Sequence, residues 1–274
     1  MSQKEKMERN EMGFLDHLEE LRWVLVRSAL GILVAAVGAF ISYRIIFDWV
    51  ILAPKSPVFF TNRILCSIAN SLNTPRLCIN SDPLNIININ MAGQFNTHLM
   101  VSVYVGIIIA FPFIVYQIWS FVKPALYEVE RRRAKGAVFY ISLLFFIGVC
   151  FGYFIISPLT IHFLGSYRIS QEVVNQINLS SYITSVASVT LATGLLFELP
   201  ILIFFLTKVN IVTPAFLKKY RRHAFILIMV VAAIITPPDV ISLLLVTLPL
   251  WLLFEFSILI SFRLHRKINA ENAA

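Results

Sequence analysis

Glu198 lies in a 27-residue apolar run, Ser181–Thr207, that holds no other Asp, Glu, Lys or Arg. A carboxylate at mid-bilayer costs about 2.5–3.5 kcal/mol on insertion scales, so one retained there marks a functional candidate. Pro200, two residues on, removes a backbone donor and permits a kink. Thr190, Thr193 and Gly194 make the preceding turns locally polar. Two readings stand for Glu198: a structural side chain protonated or hydrogen-bonded between helices, or a polar site for a partner helix or a proton.

A second group of carboxylates falls at the edges of apolar runs. Residues 11–22 read EMGFLDHLEELR, with Phe14, Leu15, Leu18, Leu21 and Leu25 at helical spacing. This pattern predicts an amphipathic helix over 11–22 with Asp16, Glu19 and Glu20 on its polar face. Acidic groups are unusual just inside an anionic membrane, where bases are favoured. The face is either simply solvated, with Arg22 as local partner, or a carboxylate site for a cationic ligand. Residues 119–133 read WSFVKPALYEVERRR, in which Pro124 stops one helix and Ala125–Arg133 restarts another. Arginines 131–133 serve membrane topology, which does not account for Glu130. Two carboxylates on one face would suit two guanidinium groups, because Arg forms paired hydrogen bonds to carboxylate and Lys does this poorly.

The elements that must position these groups are membrane helices. The chain has 274 residues, 58% of them hydrophobic and 14% charged, against roughly 45–50% and 25% in soluble domains. The net charge of +8 is not nucleic-acid chemistry, since the bases sit in short loops between apolar runs. The spans expected are 23–43, 98–122, 137–164, 181–207, 223–236 and 240–262, with the last pair short and Pro249 breaking span six. The runs are continuous rather than alternating, which favours helices over a barrel. The charged first 22 residues and the span-length run after them differ from a cleavable signal peptide. Eighteen of the 23 lysines and arginines fall on the side of the two termini, setting both inside. The whole chain, 1–274, reads as one membrane domain with an outer cap loop over 44–96, built of short helices and loops. Cys66 and Cys78 lie in that loop; an oxidising exterior permits a disulfide, and two reduced thiols are the alternative. No inverted repeat, phosphate loop, nucleophile triad or Cys/His metal cluster is visible, so no enzyme, cofactor or metal is expected.

HLEELR at 17–22, AP at 53–54, FPFIVYQIWSFVKPALYEVERR at 111–132, FELP at 197–200, LFE at 253–255 and TPPDV at 236–240 occur in an order that resembles the TatC family. That family is the multi-spanning core subunit of the twin-arginine protein translocase. The resemblance implies six helices in a glove-like concave bundle with both termini cytoplasmic, in a bacterial inner membrane. It implies recognition of twin-arginine signal peptides on folded precursors, with TatA/TatB-type single-span partners, further copies of the chain and the proton-motive force. Glu20 and Glu130 match the signal-binding carboxylates, with Arg22, Gln117 and Phe121 beside them. Glu198 matches an intramembrane glutamate, Pro54 an outer-loop assembly position, and Asp239 the turn between the last two helices. Leu243 stands where the family often has a polar Gln, and the paired outer-loop cysteines are not a general family feature. The rivals are a proton- or ion-coupled small-molecule transporter using Glu198, and a passive scaffold that would tolerate neutral replacement of Glu20, Glu130 and Glu198.

Overall fold

The computed structural model describes residues 14–71, 78–80, 84–123, 136–170, 172, 175–208, 211–236 and 240–272. These residues are helical apart from loops and one two-residue ladder. Among the described residues, five stretches are long and apolar enough to cross a membrane: His17–Ile41, Gly93–Val122, Ala137–Ser166, Leu179–Lys208 and Leu243–Arg266. Contacts divide the chain into two units, Met1–Ile41 with Ser102–Ser142, and Ser42–Val101 with Leu143–Ala274.

The first unit is built on α1 (Phe14–Ile41) and the later turns of α3 (Gly93–Val122). Helix α1 has 28 residues, about 42 Å at 1.5 Å per residue. The polar turn carrying Glu19 and Glu20 continues into the apolar span without a break, because Leu, Glu and Arg all favour helix. Glycines set the pairing of α1 with α3. A Cβ on Gly106 would meet the backbone nitrogen and Cβ of Ala36, both at 2.8 Å, and one on Gly31 would meet the Phe113 ring at 2.6 Å. The absent methyl groups let two backbones approach in a medium where close packing replaces the hydrophobic drive. Ala36 faces Gly106 while Gly31 faces Phe113, so the helices run antiparallel.

The second unit begins with one α turn (Tyr43–Ile45), a π-helical turn (Ile46–Ile51) and a 3-10 turn (Ala53–Lys55). Helix α2 (Phe60–Ser71) follows, and its Cys66 is bonded to Cys78. β1 (Ile86–Ile87) pairs in parallel with β2 (Ile177–Asn178), tying two connecting segments together. That ladder was not expected: two residues show no periodicity, and their partner is distant in sequence. Helix α4 (Ala137–Phe151) runs through a π turn (Gly152–Ile156) into α5 (Ser157–Ser166). Gly148 and Gly152 admit α6 (Leu179–Leu196): a Cβ on Gly148 would lie 2.9 Å from the Gly194 Cα, and one on Gly152 3.0 Å from the Thr190 Cα. α7 (Leu199–Lys208), α8 (Pro214–Lys219), α9 (Arg221–Ile235) and α10 (Val240–Asn272) complete the unit. Their core gathers Phe197, Ile203, Leu217, Ile228, Ala232, Val246, Leu250 and Phe254.

Two expectations meet corrections here. Span six was expected to break at Pro249, yet α10 passes through it. Val246 and Leu250 on either side are 1% exposed, and this packing holds the helix across the missing hydrogen bond. The last pair was expected to be short. The segment expected as span five, α9, is short, its 15 residues extending about 22 Å, whereas α10 has 33 residues and contains the Leu243–Arg266 stretch that is long enough to cross. The reversal at 237–239 and the helix expected over 125–133 lie outside the described residues.

Candidate functional site

The antiparallel register of α1 and α3 carries the amino-terminal turns of one against the carboxy-terminal turns of the other. Glu19, Glu20, Trp23, Val24 and Arg27 from α1 and Gln117, Ser120 and Phe121 from α3 line a cavity of about 300 Å³. His17 stacks on Phe121 with ring centroids 4.3 Å apart, which fixes that wall. Gln117 is buried at 9% exposure. The two neighbouring glutamates differ. Glu19 takes an exposed ion pair from Arg22 at 3.4 Å, whereas the Oε2 of Glu20 is buried and accepts no hydrogen bond among the described residues. A buried acceptor left unmade costs about 1–3 kcal/mol, and more when charged. A cationic donor entering this cavity would relieve that cost, with the Trp23 and Phe121 rings on its wall.

Of the residues anticipated for this site, the structure brings together Glu20, Gln117 and Phe121. Arg22 points elsewhere, onto Glu19 and over the Trp23 ring at 5.7 Å. Glu130 lies outside the described residues, as does Asp239. Trp23, Arg27 and Ser120 were not anticipated. They sit one or two turns from Glu20 and Gln117, and helical spacing on each strip would have found them once the pairing was known.

Glu198 occupies the two-residue turn Phe197–Glu198 that separates α6 from α7. Its N–H donates to the Leu195 carbonyl, and its own carbonyl accepts from Ile201 and Leu202. Pro200 falls in the first turn of α7, where a missing donor is harmless. One carboxyl oxygen, Oε1, is buried with no hydrogen-bond partner among the described residues. The polar residues before it turn inward: Thr193 donates to the Val189 carbonyl at 2.7 Å, and Thr190 lies 3.4 Å from the Ser157 hydroxyl.

Pro54 is buried in its 3-10 turn. Its carbonyl accepts from the side chains of Asn62 at 3.0 Å and Asn80 at 3.4 Å. Neither asparagine was anticipated, and only their distant meeting distinguishes them from ordinary loop residues. Also unanticipated is Arg221 of α9, whose Nε lies 2.5 Å from Glu255 on α10 and whose guanidinium stands over Trp251.

With this geometry in hand, known proteins give a consistent comparison. Residues 16–249 match the family described as "TatC: Sec-independent protein translocase protein (TatC)". The Sec-independent protein translocase protein TatC of Blattabacterium sp. subsp. Periplaneta americana is 38% identical over 264 residues, covering 96% of this chain and 99% of that one. TatCy of Bacillus subtilis is 34% identical over 271 residues, covering 98% and 96%. A crystal structure of a twin-arginine translocase receptor TatC in DDM aligns with a TM-score of 0.70 at 30% identity, over 89% of this chain and 99% of that chain.

Proposed function

The chain belongs to the TatC family of Sec-independent protein translocase proteins, and from that premise we propose that it is the receptor and core subunit of a twin-arginine translocation system. Signal peptides of folded precursors dock their paired arginines at the cavity between α1 and α3, with Glu20 and Glu130 as the receiving carboxylates. The observation that carries this reading is the Glu20 Oε2, buried and without a hydrogen bond among the described residues, on a cavity of about 300 Å³. Gln117 supplies a second acceptor, and Phe121 and Trp23 supply ring faces. Arg22 holds Glu19 by its ion pair, leaving Glu20 as the carboxylate available to cargo.

In this reading the protein spans a bacterial inner membrane six times with both termini inside, α9 forming a short fifth crossing before α10. The site then opens at the cytoplasmic boundary, where precursors arrive. Glu198, at the α6–α7 break, is the polar contact for a single-span TatA/TatB-type helix, and Pro54 and Asp239 serve assembly with those partners and with further copies. Transport draws on the proton-motive force, and recognition rather than covalent chemistry is the protein's own task.

Each charge-assisted hydrogen bond from a cargo arginine contributes about 1.5–3 kcal/mol. Glu20→Gln should therefore weaken capture of a twin-Arg peptide by about 10- to 150-fold, read by photocrosslinking from the peptide to the chain in membranes. Undiminished crosslinking in a fully inserted variant would reject the site.

A further inference from the structure

We propose that the Cys66–Cys78 disulfide is a maturation site, closed by an extracytoplasmic thiol–disulfide oxidant, and that its closure holds Asn80 in the buried knot that fixes Pro54. Three segments distant in sequence meet in this knot. Asn62 donates from Nδ2 to the carbonyls of Pro54 at 3.0 Å and Ser56 at 2.8 Å. Asn80 donates from Nδ2 to the Pro158 carbonyl at 3.1 Å, and lies 3.4 Å from both the Pro54 carbonyl and Asn62 Oδ1. Its backbone N–H reaches His162 Nδ1 at 3.3 Å. Asn62 and Asn80 are 1% and 4% exposed. A buried amide network of this kind is stable only while every member stays in place.

The bridge is placed to enforce that. Cys66 stands four residues after Asn62 on α2, so both belong to one helix face. Cys78 stands two residues before Asn80, which adopts φ 54°, a left-handed conformation that Asn tolerates better than most residues. The covalent bond thus ties the helix bearing one asparagine to the non-helical segment bearing the other. Without it, the amide contacts alone would hold Asn80 beside Asn62 and Pro54.

Formation of the bond is balanced by a disulfide donor. One cysteine thiolate attacks a donor sulfur, expelling a donor thiolate and leaving a mixed disulfide. The second cysteine thiolate attacks its partner's sulfur and expels the other donor thiolate. The pair loses two electrons and two protons, and the donor becomes a dithiol. Such donors act in the extracytoplasmic compartment, so the inference rests on the orientation given above for this segment.

The test uses the full chain in native membranes, with Cys150→Ala so that only this pair reports. After denaturation, a PEG-maleimide should add nothing without reductant and two labels with it; two labels without reductant overturn the proposal. Reduction of the folded wild-type protein should speed tryptic cleavage at Lys55 or Arg63 by at least about tenfold, and unchanged cleavage overturns it. This arm needs no variant that could fail to fold. Asn80→Ala should give the same sensitivity while oxidised, with little added by reduction; independent, multiplying effects would show that bridge and knot are uncoupled and would overturn it. Cells lacking their extracytoplasmic thiol oxidase should accumulate the reduced form, and a fully oxidised chain there overturns the donor assignment. Labelling of an Asn90→Cys, Cys66→Ser, Cys78→Ser chain by an impermeant maleimide from outside reports orientation separately, so a wrong topology is distinguishable from a wrong latch.

Discussion

At the scale of the residue, neighbouring side chains of one type have different work. Glu19 and Glu20 differ by 100° around α1, and that rotation leaves one paired with Arg22 in water and the other with one oxygen, Oε2, buried without a donor among the described residues. The acidic pair is legible from the sequence because it stands where bases are expected. Which of the two is unsatisfied is not legible, since that depends on what α3 lays against each. Phe121 illustrates a second dependence. It forms a cavity wall and is itself held by His17 at 4.3 Å. Phe121→Ala should weaken twin-Arg peptide binding by about 3- to 30-fold through loss of a cation–π face worth about 0.5–2 kcal/mol, while Phe121→Tyr retains it. Fluorescence anisotropy of a labelled peptide with the purified protein measures both. Equal binding by the Ala variant would remove Phe121 from the site.

At the scale of the element, small residues decide which helices meet and in what register. Gly106→Leu would force α1 and α3 apart, because the atoms facing the new side chain include the backbone nitrogen of Ala36, which cannot turn aside. Overpacking of this kind typically costs about 1–3 kcal/mol. The expected outcome is a lower melting temperature in detergent together with weaker peptide binding, although Gly106 lies three turns from Gln117. Binding at the wild-type level would disconnect this crossing from the site. In the other unit, the buried hydroxyls of Thr207 and Ser261 meet at 2.8 Å between α7 and α10. Replacing either alone should cost about 0.5–1.5 kcal/mol, and Thr207→Val with Ser261→Ala less than the sum, as thermal unfolding of the four proteins would show. By contrast Arg221–Glu255 is a partly exposed pair, and Glu255→Gln should cost under about 1 kcal/mol by the same measurement. Apolar run length and Pro200 made most helices and the turn at Glu198 legible. Pro249 misled, because proline chemistry alone predicts a break and only the packing of Val246 and Leu250 overrides it.

At the scale of the whole molecule, the family and the all-helical membrane class were legible in ordered motifs and in apolar runs too long and too numerous for a soluble core. The contacts that close the connecting segments were not. The β1–β2 ladder joins positions about 90 residues apart, and the knot at Pro54 joins three segments. Both follow from how the chain packs, which residue spacing does not encode. Removing the Cys66–Cys78 bond should lower thermal stability by about 2–4 kcal/mol, compared by unfolding with and without reductant. The central claim is that a carboxylate at residue 20, its Oε2 buried and without a donor among the described residues, recognises arginine in cargo. Its most direct test compares binding of a twin-Arg signal peptide and its twin-Lys counterpart to the wild-type protein and to Glu20→Gln. The account predicts strong preference for arginine in the wild type and collapse of that preference in the variant, with the variant still inserted and folded. An undiminished preference for arginine in Glu20→Gln would contradict it.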